Sequence, residues 1–218
     1  MENDKIFSKA AAISFGWETM KNNFWFLVGV YLVIVLINSL SNIFDEGLAD
    51  WLFTIVGTVL SLITGMGAIK IVLALYDGGQ VRFSDLFSNY QRFFRVLGAS
   101  ILITIICVIG FILLIVPGII LALRLQFTIF LIMDEDLGAV EALKKSWEIT
   151  RGSAGNLFLF WLLCLLIIIL GFIALVVGVL VAAPVTYLGL TYIYRQFNPR
   201  GAGQTLSDSN STPLLYEK

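Results

Sequence analysis

Arg124 is the side chain that most needs a chemical explanation. It stands alone in the apolar run LLIVPGIILALRLQFTIFLIMDED, Leu113 to Asp136. A guanidinium at the centre of a bilayer costs about 2.5–3.5 kcal/mol on insertion scales, so it needs water, an anion or polar neighbours. Lys70, the other cation inside an apolar run, lies nearer the end of its run and can snorkel its ammonium to the head groups. Two readings of Arg124 stand side by side. In one it meets an anionic group such as a lipid phosphate. In the other it bonds carbonyls and side chains of neighbouring helices, with Asn38, Ser61, Thr64 and Thr104 among the candidates. No carboxylate lies deep in an apolar run, so a buried ion pair is not expected. Asp134-Glu135-Asp136 is the densest acidic cluster. It would suit a divalent cation, but it reads first as a solvated helix boundary.

Other chemistry is scarce. The chain has no histidine, which removes Ser-His-Asp catalysis and imidazole metal ligands. Cys107 and Cys164 lie inside apolar runs and read as packing thiols rather than a disulfide or metal pair. No catalytic, cofactor-binding or metal residue is assigned, no cofactor is expected, and the chain is not expected to be an enzyme.

The elements that must position these residues follow from composition. Of 218 residues only 13% are charged, against about 25% in a soluble domain, and 59% are hydrophobic. With a mean hydropathy of +0.93, such a chain could not clothe itself in polar surface, so its solvent is lipid. A net charge of −1 gives no reason to expect a nucleic-acid partner. Glu2, Asp4, Lys5 and Lys9 interrupt the first residues, so a cleaved leader is not expected.

A spanning helix needs about 20 apolar residues. On that criterion six spans are predicted, over 24–43, 51–76, 95–116, 118–133, 156–175 and 177–196. Pro117 and Gly118 are expected to form the turn between the third and fourth, because proline lacks a helix donor and glycine frees the backbone. With the N-terminus inside, every lysine and arginine other than Lys70 and Arg124 falls on the cytoplasmic side. The first outer turn holds Asp45, Glu46 and Asp50 instead. This bias places both termini in the cytoplasm. Residues 1–197 form one transmembrane domain, and 198–218 a flexible polar cytoplasmic tail rich in Gly, Ser, Thr and Asn.

Each odd-numbered span follows a short amphipathic stretch, expected to lie in the membrane interface. The first is KIFSKAAAISFGWETM, with Ile6, Ala10, Ile13, Trp17 and Met20 along one face. The second is FSDLFSNYQRFF. The third is AVEALKKSWEITR, with Val140, Leu143, Trp147 and Thr150 on one face and Glu141 paired to Lys145 on the other. The first and third share a pattern, Trp17-Glu18-x-x-Lys21 and Trp147-Glu148-x-x-Arg151. The fold class expected is therefore all-α: a polytopic bundle of six transmembrane helices as three hairpins, each preceded by an interfacial helix. The repeat is parallel, whereas many alternating-access carriers show inverted ones. An internal repeat and a convergent use of tryptophan with a basic end both remain open.

The stretch from Leu113 to Gly152 resembles a signature of bacterial integral membrane proteins, the glycerophosphoryl diester phosphodiesterase membrane-domain and YciC-like group. Its parts here are Val116-Pro117-Gly118, Arg124, Asp134-Glu135 and Glu141 to Gly152. ISFGWETMKNNF and DGGQVRFSDLFSNYQRF are similar too. The resemblance implies a cytoplasmic-membrane protein with an accessory or envelope-maintenance role. Some members precede a catalytic domain that these residues do not contain, so the enzyme name is not carried over. The expected function is a non-catalytic scaffold or accessory subunit, with membrane lipids and a protein partner or a second copy as partners. The alternative is a lipid or small-solute transporter or channel with Arg124 as the anion contact.

Overall fold

The computed structural model describes residues 7–40, 48–173 and 177–199. The described residues are helical, with no strand among them. The helices are α1 (Lys9–Asn22), α2 (Phe24–Leu40), α3 (Leu48–Tyr76), α4 (Phe93–Leu113), α5 (Ile115–Leu125), α6 (Thr128–Glu135), α7 (Ala139–Ile149), α8 (Ala154–Ile173) and α9 (Val177–Phe197). Four helical stretches are long and apolar enough to cross a membrane: Thr54–Tyr76, Phe83–Leu113, Ile115–Glu135 and Ala154–Phe172. A fifth arises if α1 and α2, bent by 98° at Asn23, act as one span. The expected turn with Asp45 and Glu46, the contacts of Ser41 and Asn42, the position of Ile6 and the tail from 200 onward lie outside the described residues.

Lipid gives apolar side chains no hydrophobic reason to leave it, so such helices associate through close packing and polar contacts. Both are visible. Helix α1 runs along α9, burying Ala12, Gly16 and Met20. A Cβ on Gly16 would sit 2.5 Å from the Val185 carbonyl oxygen, so the small residue sets the approach. The expected apolar face of α1 is split: Met20 is buried and Ile13 packs on the core, whereas Ala10 and Trp17 are exposed. One contiguous core runs from Phe7 to Phe197 and takes in Cys164. At one end of it Phe127, Phe130, Tyr194 and Phe197 stack, with ring centroids 5.3–6.0 Å apart.

Three expectations about local structure need correcting. The middle amphipathic stretch is not an α-helix but two 3-10 turns, Phe83–Leu86 and Tyr90–Arg92. Its polar side chains compete with the helical ladder: the Arg82 N–H donates to Asp85 Oδ2 at 2.8 Å, and the Ser88 hydroxyl donates to the Asp85 carbonyl at 3.2 Å. The turn between α4 and α5 is not at Pro117-Gly118 but at Leu114, which is extended (φ −166°, ψ 149°). Pro117 and Gly118 instead sit in the first turn of α5, where a missing N–H costs nothing. Gly118 packs closely on Gly110 and the Phe111 ring. Finally, Lys145 pairs not with Glu141 but with Glu135 of α6, Nζ to Oε2 at 2.5 Å.

Candidate functional site

Arg124 lies in the last turn of α5, just before an interruption at Gln126 and Phe127. A break in an apolar helix frees carbonyls that lipid cannot satisfy. Neighbouring hydroxyls take them over. The Ser146 hydroxyl on α7 donates to the Arg124 carbonyl at 2.7 Å. The Thr150 hydroxyl stands 3.2 Å from the same oxygen and shares its proton with the Ser146 carbonyl at 2.7 Å. The Thr128 hydroxyl donates to the Leu125 carbonyl at 2.7 Å. The Arg124 guanidinium lies over the Trp147 ring, 4.3 Å from its centroid, a cation–π contact.

None of the expected hydroxyl or amide partners of Arg124 is seen bonded to it. Thr64 and Thr104 donate back to carbonyls of their own helices. The Ser61 hydroxyl donates to Asn38 Oδ1 at 2.9 Å. Arg124 Nε is buried without a hydrogen-bond partner. So is Gln126 Nε2, because Gln126 Oε1 accepts from the Trp161 indole at 2.7 Å and fixes the amide's orientation. Lys70 is exposed on α3, on the outside of the bundle.

The acidic cluster is a helix boundary, but Asp134 in it is buried and only Asp136 is largely exposed. Its three carboxylates diverge onto separate cations. Asp134 takes both arms of Arg195, Nη1 to Oδ2 at 2.5 Å and Nη2 to Oδ1 at 3.0 Å. The Tyr194 hydroxyl donates to the same Oδ2 at 2.9 Å. Arg195 Nη2 also donates to Asp77 Oδ2 at 2.7 Å. The side chains of Arg195 and Asp134 are each 3% exposed, and that of Asp77 is 22% exposed. This buried ion pair runs against the expectation that none would form. Three helix ends, of α3, α6 and α9, meet there under the aromatic stack. Glu135 accepts from Lys145 and, at 2.6 Å, from Asn198. Asp136, in the left-handed region at φ 60°, accepts from Arg92 at 2.6 Å and lies 2.9 Å from Arg95. The hydrogen bonds from Arg92 and then Arg95 hold its carboxyl below the usual carboxylate range.

The signature thus closes on itself. Lys145, Ser146, Trp147 and Thr150, successive groups along α7, engage Glu135, the Arg124 carbonyl and the Arg124 guanidinium. Of the residues expected in interfacial helices, Trp147 is half-buried under Arg124. Trp17, Lys21, Glu148 and Arg151 are exposed, and Glu18 is exposed beside Trp17. The structure does not bring the first set, Trp17, Glu18 and Lys21, to the polar cluster. Sequence reasoning missed Asp77, Tyr194, Arg195 and Asn198. The signal available was positional, since all four lie at the same end of the predicted spans.

Residues 45–212, more than half of the chain, match the family described as "Domain of unknown function (DUF7847)". Among curated proteins, the uncharacterized protein Rv2560 of Mycobacterium tuberculosis is 29% identical over 126 residues, covering 58% of this chain and 38% of its own length. The uncharacterized protein Mb2590 of Mycobacterium bovis matches at the same identity and coverage. The chain spans under two fifths of the length of these relatives. No solved structure matches.

Proposed function

We propose the following reading for this chain, which belongs to the DUF7847 family of unknown function. It is a non-catalytic multi-pass protein of a bacterial cytoplasmic membrane, a scaffold or accessory subunit whose helices pack on a partner protein or a second copy. The observation that carries this reading is the internal pairing of the signature. Asp134 pairs with Arg195, Glu135 with Lys145 and Asp136 with Arg92, and Ser146 and Thr150 serve a helix break. Groups spent on holding helices together are what a structural subunit needs.

In this proposal the six predicted spans form three hairpins. Packing of α2 on α3, α4 on α5 and α8 on α9 supports that arrangement. The polar end, where Asp77, Asp134 and Arg195 meet, faces the cytoplasm, because the basic loop residues share it. A reporter fused after Lys218 is then active in the cytoplasm; a periplasmic signal sinks the six-span topology. The family and relatives that match give no evidence for the glycerophosphoryl diester phosphodiesterase membrane-domain and YciC-like group, so the accessory role rests on the internal pairing.

The test is extraction into native nanodiscs followed by mass spectrometry of what co-purifies. A stoichiometric protein partner, or a stoichiometric self-assembly, is the expected result. A monomer carrying only lipid argues against the proposal.

The second reading, a lipid or small-solute transporter or channel with Arg124 as the anion contact, is favoured by one observation. Arg124 Nε and Gln126 Nε2 are buried donors with nothing to donate to, beside a break in an apolar helix. Arg124→Gln and Arg124→Ala separate the two. On the scaffold reading both lower abundance in the membrane, through the lost contact with Trp147, and leave co-purifying lipid unchanged. Loss of one enriched anionic lipid with assembly intact moves Arg124 to the transport role.

A further inference from the structure

A cavity of about 260 Å³ opens between α2, α3 and α9 and is separate from the Arg124 and Arg195 clusters. Its walls are apolar except for the Tyr31 and Tyr187 phenols and the Ser61 hydroxyl, which is already donated to Asn38. The floor is made by small residues. A Cβ on Gly65 would meet nothing within 4 Å, and Ala68 lies on the same wall. Tyr187 at its mouth is half exposed, so the cavity is open sideways from the bundle.

Its depth is informative. Val96, at one end of the lining, lies about three residues from the start of α4, or roughly 5 Å from the polar end at 1.5 Å per residue. Ser61, at the other, lies about 15 residues before Tyr76, or roughly 22 Å from that end. Tyr31 and Tyr187 fall between them, about 10 Å and about 15 Å in from the ends of α2 and α9. The cavity is therefore a groove of about 17 Å along the helices, close to the ~15 Å depth of one leaflet's hydrocarbon. A hydrated or strongly polar ligand would lose its water there without replacement. A single hydrocarbon chain loses nothing and gains contacts that a void would forfeit.

Arg92 and Arg95 are not part of the lining but stand close in sequence to Val96 at its near end. Arg92 and Arg95 share the one carboxylate of Asp136, which leaves that cluster a net positive charge beside Val96. The Arg95 side chain is 46% exposed.

We propose that this groove holds one acyl chain of an anionic phospholipid, its phosphate set against Arg92 and Arg95. The proposal rests on the multi-pass membrane reading above and adds a specific lipid site to it. Small residues at Gly65 and Ala68 keep the site open, and Pro184, inside α9, lies on its far wall.

The full chain is placed in nanodiscs of phosphatidylglycerol or of phosphatidylcholine, each doped with the same lipid bearing a mid-chain diazirine. After irradiation, adducts are mapped by peptide mass spectrometry. Adducts are expected to concentrate around Tyr31, Met66 and Tyr187, several-fold above those on the exposed face of α8, and to be stronger in phosphatidylglycerol. Gly65→Leu and Ala68→Leu fill the groove and should reduce these adducts several-fold. Gly155→Leu, on α8 where a Cβ also meets nothing, should not. Adducts spread evenly around the bundle, or groove adducts equal in all variants, overturn the site. The wild-type map decides this alone if a variant fails to fold. Equal labelling in the two lipids overturns the preference for an anionic head group. A chain that takes no adduct on any helix overturns the membrane reading itself.

Discussion

Arg195→Leu is expected to cost about 3–5 kcal/mol, the usual penalty for removing one partner of a buried ion pair. The reason lies in what stays behind. Asp134, 3% exposed, keeps the Tyr194 hydroxyl but loses both guanidinium bonds, and Asp77 loses its guanidinium bond too. A buried carboxylate that has lost its guanidinium beside the aromatic stack must either draw in water, prying α6 from α9, or take up a proton. Arg195→Lys should recover little. The observed geometry uses both Nη atoms on Asp134 and one of them again on Asp77, and a single ammonium on a flexible stem does not reproduce that fork. The double variant Asp134→Leu with Arg195→Leu should be more stable than Arg195→Leu alone, because it removes both buried charges, while Asp77 is exposed enough to turn to water. The measurement is the thermal midpoint of the detergent-solubilised chain, read as the fraction still eluting as a single species after heating. A wild-type midpoint for Arg195→Leu would show that the cluster is not holding the helix ends together.

The reach of sequence reasoning is visible in this same cluster. The apolar runs were legible because lipid imposes one composition over a length of about 20 residues. The stretch from Leu113 to Gly152 stood out because it is contiguous, although the group it was likened to is not the family that matches. The partners of its charges were not legible. Arg195 stands 61 positions from Asp134 and 118 from Asp77, and each looks alone like an ordinary flanking charge. Counting Arg195 as a cation flanking its span said nothing about burial. Arg124 illustrates the converse. It was conspicuous as a charge, yet the hydrogen bonds from Ser146 and Thr150 go to its carbonyl, a group that every residue carries. The 3-10 turns after α3 were misread because periodicity in FSDLFSNYQRFF suits a helix, while the Asp85 and Ser88 contacts that interrupt it leave no periodic trace.

Gly67 tests a contact of a different kind. Helix α3 meets the first 3-10 turn so closely that a Cβ on Gly67 would lie 2.2 Å from the Leu86 carbonyl oxygen and 2.3 Å from its Cα. These are backbone atoms and cannot rotate aside. Gly67→Leu must therefore lift the Phe83–Leu86 turn off the helix. Leu86, 1% exposed against Val30 and Ile71, then leaves its pocket, and Phe83 leaves the Phe26 ring 4.8 Å away. Burial of one such leucine is worth about 1.5–3 kcal/mol, and overpacking adds about 1–3 kcal/mol, so a loss of roughly 3 kcal/mol or more is expected. Helix propensity opposes this weakly, since replacing a helical glycine by alanine gains only about 0.5–1 kcal/mol. Gly65→Ala isolates that gain. It lies two residues away on the same helix, where a Cβ meets nothing, and should leave the thermal midpoint unchanged or slightly raised. Limited proteolysis between Gly78 and Arg92 should accelerate in Gly67→Leu and stay slow in Gly65→Ala. Equal cleavage in both would mean that the turn is held by the Asp85, Ser88 and Asn89 hydrogen bonds alone, and that the glycine merely permits a proximity on which the fold does not depend.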